Sequence, residues 1–290
     1  MRVFVTGASG FIGRRVLPLL SQHEVLCLTR DPGRMPAPPF GRMLRGDLGR
    51  PQEWEPQLED FKPQCCLHLA WEGLPDYSPA CSRANLDAGL RLLAVLQRAR
   101  TRRVVVAGSC WEYGTAAGMV SETRVGADCG VFAAAKNALR TALESAACAA
   151  DIEYRWARIF FAYGPGQRPD ALIPSCRAAF AAGGVPDIRA PRVAQDFIHV
   201  DDVAEGLLAL VERDIASGVY NLGTGRPTSI GEVANAVARY FGAALPYPDS
   251  GHDLGFWADG AKMAGATGWR ARTGLENGIG RTLRAFDEAA

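Results

Sequence analysis

Met1-Arg2-Val3-Phe4-Val5-Thr6-Gly7-Ala8-Ser9-Gly10-Phe11-Ile12-Gly13 is the stretch that decides how this chain is read. A short apolar run ends in a GxxGxxG turn and passes directly into FIGRRVLPLLSQ, whose spacing is helical apart from Pro18. Glycines at 7, 10 and 13 let the backbone approach a pyrophosphate closely. The start of the following helix, with Ser9, Phe11 and Ile12, turns free N–H groups toward the same anion. Any tight strand–helix turn favours one or two glycines. The place of this one at the head of an alternating chain gives it weight as a dinucleotide-binding motif.

Working outward, EVLCLTR, RMLRGDL, QCCLHLAW, RRVVVAGS and EYRWARIFF read as strands, several of them continuously apolar. ANLDAGLRLLAVLQRAR and VFAAAKNALRTALESAACAA read as amphipathic and alanine-rich helices between them. The expected class is α/β: a Rossmann-type, doubly wound parallel sheet with a smaller C-terminal α/β substrate-binding lobe. The expected domains are 1–165 for the dinucleotide, with 195–222 returning to it, and 166–290 for the substrate.

The 290 residues are 48% hydrophobic with a formal net charge of +1, which excludes disorder and gives no electrostatic case for nucleic acid or an anionic membrane. No run approaches about 18 apolar residues and no leader pattern opens the chain, so a cytoplasmic location is the default. The eight cysteines lack paired metal-ligand spacing; buried free thiols and no metal are expected. Only Lys62, Lys136 and Lys262 among the 32 basic residues are lysine, a bias toward arginine. The second strand ends in Cys27-Leu28-Thr29-Arg30 without the acid that bonds the ribose hydroxyls of NAD. Arg30 can pair with a 2′-phosphate, so NADP(H) is favoured over NAD(H), although Asp31 follows immediately.

Further stretches match along nearly the whole chain: Gly46-Asp47-Leu48, His68-Leu69-Ala70, Ala107-Gly108-Ser109-Cys110-Trp111-Glu112-Tyr113-Gly114, Arg158-Ile159-Phe160-Phe161-Ala162-Tyr163-Gly164-Pro165 and Gln195-Asp196-Phe197-Ile198-His199-Val200-Asp201-Asp202. With the glycine turn, they make the chain resemble the extended short-chain dehydrogenases/reductases, in particular the nucleotide-sugar epimerase/dehydratase/reductase group. The resemblance implies adenine contacts from Asp47 and Leu48, and a loop of Leu69, Ala70 and Trp71 along the cofactor. Asn85 matches a helix asparagine of the family, and Phe160 a residue near the nicotinamide.

The same resemblance implies a catalytic Ser, Tyr and Lys, with Tyr and Lys spaced YxxxK on one helix face. Ser109 and Lys136 match. The tyrosine position is Phe132, in Phe132-Ala133-Ala134-Ala135-Lys136, so the phenol is missing. Three explanations stand open. A deliberate isosteric exchange would hold substrate without turnover, and the equal volume of the two rings favours it. Alternatively, another acid (Glu112, Cys110 or a water on Ser109) takes over, or the protein is a natural non-catalytic binder.

Ser109-Cys110-Trp111 stands where sugar 4,6-dehydratases usually carry Thr-Asp-Glu, which disfavours dehydration. The reading that follows is an NADP(H)-dependent ketoreductase acting at C4 of a 4-keto-6-deoxy sugar nucleotide. The alternatives are a 4-epimerase or a non-catalytic binder of the sugar nucleotide or dinucleotide. Trp71, Cys110, Trp111 and Phe161 are expected to shape the sugar pocket, and Arg168, Arg177 and Arg192 to clamp the diphosphate of the nucleotide-sugar partner. His68, His199 and His252 read as structural. A homodimer through the helices after the fourth and fifth strands is a family expectation.

Overall fold

The structure, a computed structural model, describes residues 1–34, 38–248 and 251–288. β1 (Arg2–Thr6) runs through the glycine turn into α1 (Gly13–Val16), only four residues long and continued by a 3-10 turn over Leu17–Leu20. The longer helix expected here is cut short at Pro18, which has no N–H to continue the ladder. There follow β2 (Glu24–Thr29), β3 (Gly41–Arg45), α2 (Glu55–Phe61), β4 (Cys65–His68), α3 (Pro79–Arg98), β5 (Arg103–Ser109), β6 (Gly118–Val120), α4 (Val131–Ala150) and β7 (Glu153–Ile159). The chain continues through β8 (Phe161–Tyr163), α5 (Leu172–Ala181), β9 (Ala194–Gln195), β10 (Phe197–His199), α6 (Val200–Glu212) and β11 (Gly218–Leu222). It closes with β12 (Thr228–Ser229), α7 (Ile230–Tyr240), β13 (Gly255–Ala258), α8 (Ala261–Thr267) and α9 (Leu275–Asp287).

The seven-stranded sheet has the order β11-β7-β5-β4-β1-β2-β3, with β1 pairing in parallel to both β2 and β4. The strand order reverses direction beside β1, and in such sheets ligands bind at the carboxyl ends of the strands flanking that point. The doubly wound class expected from the alternating pattern is the one observed.

Two compact units share the chain. The first comprises 1–115, 125–158 and 204–220; the second comprises 116–124, 159–203 and 221–290. The returning segment is therefore 204–220, where 195–222 was expected, and the chain leaves the first unit at 158 rather than 165. The long strand read over EYRWARIFF divides at this boundary. The Phe160 amide donates to Leu222 O at 3.0 Å and the next amide, of Phe161, to Asp196 O at 3.0 Å, so consecutive residues join different strands.

In the first unit, Phe4, Trp54, Leu92, Leu96, Val104 and Trp156 belong to one buried cluster. Burying each side chain of that size contributes about 1.5–3 kcal/mol. α3 starts on Pro79 with Ser78 as its cap, the hydroxyl accepting from Cys81 N at 3.3 Å. α3 and α4 approach closely at Gly89, where an added Cβ would lie 2.8 Å from Leu139 Cδ2. Five cysteines are buried as expected, but Cys81 and Cys129 are half-buried and Cys148 is exposed. Burial pushes the Cys27 and Cys65 thiols up to about 12, which leaves them chemically quiet. Among the described residues, no helix is long and apolar enough to cross a membrane.

The second unit holds a four-stranded sheet, β12-β9-β13-β6, and the parallel pair β10-β8. A buried carboxylate joins its pieces. Asp196 accepts from Thr224 N at 2.7 Å, Thr224 Oγ1 at 2.6 Å, Gly225 N at 2.9 Å and Ala258 N at 3.0 Å. Burial pushes its carboxyl up, and these donors oppose that shift. Asp196→Asn keeps the shape but turns an NH₂ toward at least one N–H donor. The expected loss is on the order of 3 kcal/mol in urea denaturation.

Candidate active site

The glycine turn is built by close approach. Gly7 has φ +75°, and a Cβ there would meet Ala70 N at 2.6 Å; on Gly13 it would meet Gly7 O at 2.2 Å. These two glycines are required by the protein's own backbone. Gly10 is different: it is exposed, and a Cβ would meet only Gly7 O, at 3.2 Å, so the open side of the turn is at Gly10. Ser9, Phe11 and Ile12 complete the turn, part-exposed. The ends of β1 and β4 are locked together beneath it. Leu69 N donates to Thr6 O at 3.1 Å, Ala70 N to Thr6 Oγ1 at 3.3 Å, and Thr6 Oγ1 bonds His68 Nδ1 at 2.7 Å. Burial, with the Lys136 charge adding to it, pushes His68 down to about 3, so it is a neutral, structural histidine as the sequence suggested.

Beside the turn lies a pocket of about 150 Å³ lined by Asp47, Leu48, Ala70, Glu72 and Asn85 among others. Asp47 Oδ1 accepts from Gly49 N at 2.7 Å, and Asp47 O from Trp54 Nε1 at 2.8 Å, which fixes the carboxylate at the rim. Asn85 commits its amide to the loop: Oδ1 accepts from Glu72 N at 2.7 Å, and Nδ2 donates to Glu72 O and Cys81 O at 3.0 and 2.9 Å. The residue matched to a cofactor contact thus also positions residues 72–81. Arg30 Nη1 donates to Glu72 Oε2 at 2.7 Å, a partner its sequence context did not announce.

The positions to which the resemblance assigns catalysis lie at the end of β5 and in the first turns of α4. Phe132 and Lys136, one helical turn apart, are 8% and 6% exposed. Lys136 Nζ donates to Ala107 O at 2.6 Å and lies 4.3 Å from the centroid of the Trp71 ring. Burial pushes its pKa down to about 8, the Glu112 carboxylate working the other way. Ser109 Oγ accepts from Trp111 N at 3.2 Å, leaving its own proton available as a donor. Phe132 is the hub of an aromatic cluster. Trp71, Tyr77 and Trp111 lie edge-on to it at centroid distances of 5.2, 5.3 and 5.8 Å. Tyr77, in no motif that the sequence displays, is the member that sequence reasoning missed.

Glu112 is fully buried and accepts from Ser109 N at 2.7 Å, from Trp156 Nε1 at 2.9 Å and from Arg158 Nε at 3.0 Å. These bonds all go to groups of the fold, so of the three open stand-ins for the missing tyrosine Glu112 is the one held as a structural anchor. Cys110 is buried as well. In the second unit, Phe160 and Phe161 each pack on Phe256 at 5.9 Å, and Phe161 on Phe197 at 6.0 Å. The arginines expected at a diphosphate all carry carboxylates: Arg168 with Asp170 at 2.9 Å, Arg177 with Asp287 at 2.7 Å, Arg192 with Asp253 at 2.7 Å.

A glycine turn at the switch point of a doubly wound sheet, followed by a second α/β unit, is the architecture of the extended short-chain dehydrogenase/reductase class. The family model "NAD dependent epimerase/dehydratase family" matches residues 3–223, and the chain belongs to that family. It is 25% identical over 239 residues to the dTDP-6-deoxy-L-talose 4-dehydrogenase (NAD(+)) of Aggregatibacter actinomycetemcomitans, covering 79% of this chain and 87% of that one. Among solved structures it is similar to MoeE5 in complex with UDP-glucuronic acid and NAD. There the identity is 30%, the TM-score 0.85 and both chains are covered completely. It is also similar to TunA, an NAD-dependent NDP-hexosamine 5,6-dehydratase, with 28% identity, a TM-score of 0.81, and 99% and 98% of the two chains covered.

The buried Lys136 charge has a cost that titration reveals. The folded protein sheds this proton near pH 8 and an unfolded chain near 10.5, so between those values the unfolded chain holds the extra proton and this group's contribution to stability rises with pH. Below about 8 the penalty is fully present. Lys136→Met should therefore be more stable than the unsubstituted protein at pH 7, by on the order of 1 kcal/mol or more. The difference should shrink through that window when denaturation curves are compared.

Proposed function

We propose that the protein is a nicotinamide-dinucleotide-dependent oxidoreductase that transfers hydride at C4 of a nucleotide sugar, as a 4-ketoreductase or its reverse. The observation that carries this is the burial of Phe132 and Lys136 one turn apart on α4, with Lys136 Nζ bonded to Ala107 O on β5, the strand that ends in Ser109. The 4-dehydrogenase relative supports the reaction type, and the UDP-sugar in the MoeE5 complex supports the ligand class.

The residues present fit such a cofactor. Gly10 leaves its backbone open for a pyrophosphate, and the pocket at Asp47, Leu48 and Asn85 suits an adenine. The short α1 lends little dipole, so the backbone N–H groups of the turn supply most of the anion binding. When bound, the dinucleotide supplies a hydride acceptor or donor. Lys136 holds a ribose hydroxyl and places positive charge beside the reacting oxygen, and Ser109 donates its proton to that oxygen. Trp71 and the buried Phe132 ring cover the Lys136 ammonium.

The preference for NADP(H) read from Arg30 gives way to NAD(H). The guanidinium is already paired with Glu72, whose carboxylate would repel a 2′-phosphate. The 4-dehydrogenase relative uses NAD(+) and MoeE5 binds NAD, which supports this reading. The unit-two arginines remain the proposed diphosphate contacts, which requires exchange of their carboxylate partners. A homodimer through α3 and α4 is proposed from the family resemblance, with Leu90 and Val131 exposed on those helices.

Two measurements test this reading. NAD⁺ together with UDP- or dTDP-sugars should raise the melting temperature, because ligands that bind only the folded state stabilise it. No shift with any combination would sink the proposal. Glu72→Gln should move the NADP⁺-to-NAD⁺ affinity ratio toward NADP⁺ by about tenfold, roughly 1.4 kcal/mol. An unchanged ratio in titration calorimetry would remove Arg30 from the specificity argument.

A further inference from the structure

We propose that Tyr77 is the catalytic acid/base of this site, supplying from the loop before α3 the phenol that position 132 lacks. This rests on the reading of the site as an oxidoreductase centre. Its observation is the contact of the Tyr77 ring with Phe132 at 5.3 Å and with Trp111 at 5.0 Å, which brings one phenol into the cluster that also contains Lys136.

The other candidates are occupied. Glu112 is saturated by Ser109, Trp156 and Arg158. Tyr113 is buried, with the Arg158 guanidinium 4.2 Å from its ring centroid and hydrogen-bonded to it. The hydroxyls of Tyr154, Tyr220, Tyr240 and Tyr247 donate to Glu144, Ala216 O, Asp287 and Pro186 O, and Tyr163 lies buried in the core of the second unit. Of the seven tyrosines, Tyr77 is the one whose ring contacts Phe132. It is also half-buried, so water can exchange its proton after each turnover.

The chemistry balances. In the oxidising direction, the sugar 4-hydroxyl O–H bond breaks and its proton forms the O–H bond of the Tyr77 phenolate. The C4–H electron pair leaves as hydride to an oxidised nicotinamide dinucleotide, which is reduced, and the C=O π bond forms. Reduction runs the same path backward. The Lys136 ammonium and the positive nicotinamide together favour the phenolate.

The loop is held for this purpose from both ends. Asn85 bonds Glu72 and Cys81, and the amide of Ser78, the residue that caps α3, donates to Asp76 Oδ1 at 2.8 Å. Phe132 then serves as the apolar floor against which Tyr77 is packed.

The test uses the full-length protein and the variants Y77F, F132Y and Y77F/F132Y, with NAD⁺ and UDP-glucose or UDP-glucuronic acid. One readout is the tyrosinate absorbance change on adding NAD⁺ in near-neutral buffer, where Lys136 keeps its proton; others are the NAD⁺ dissociation constant and the rate of NADH formation. The expected result is a tyrosinate signal in the unsubstituted protein that is absent in Y77F, at equal NAD⁺ affinity. Where turnover is seen, Y77F should lower kcat by ~10²–10⁴ with KM little changed, and F132Y should restore it in the Y77F background. If Y77F keeps the signal and the rate, or if F132Y alone raises the rate by that factor while Y77F changes nothing, Tyr77 is not the acid. Failure of every form to bind NAD⁺ overturns the cofactor reading itself; binding without a tyrosinate signal overturns the role of Tyr77 alone.

Discussion

The carboxylate of Glu112 is the charge around which the catalytic edge of the sheet is assembled. It is wholly buried, and a buried charge persists only where donors surround it. Here those donors come from the backbone of Ser109 at the end of β5 and from Trp156 and Arg158 on β7. Gly108 makes room for this, since a Cβ there would lie 2.2 Å from Trp156 Nε1. Arg158 in turn covers Tyr113, closing the turn that follows Ser109. One buried carboxylate therefore ties two strands and a turn together.

Much of this architecture could be read in the sequence because it depends on local rules. The helix from Val131 to Ala150 follows from its alanine-rich periodicity, and the glycine turn from residues that tolerate backbone at contact distance. The spacing of Phe132 and Lys136 on one helical face needs no more than the pitch of an α-helix. What the sequence concealed depends on partners distant along the chain. Glu112 looks like a spare acid until Arg158 and Trp156 are placed against it. Arg30 shows no partner in its own segment, and Glu72 reaches it from the loop after β4. Tyr77 belongs to no recognisable spacing, and only the folding of residues 71–78 carries it to Phe132.

The arginine pairs make a related point. A guanidinium in a family position invites a functional reading, yet Arg168, Arg177 and Arg192 each hold a carboxylate in the ligand-free fold. Exposed pairs of this kind contribute about 0–1 kcal/mol. Their energetic weight in the fold is small, whereas that of the Asp196 and Glu112 networks is large.

The scarcity of lysine has a practical side. Lys62 and Lys262 are exposed, while Lys136 is 6% exposed beneath the Trp71 indole. An amine-selective reagent therefore finds two surface side chains and the N-terminal amine, and meets the ammonium at the centre of the site only when Trp71 moves. Brief labelling through amines therefore falls first on the exposed lysines, and slower acylation of Lys136 becomes a clock for the opening of the indole above it.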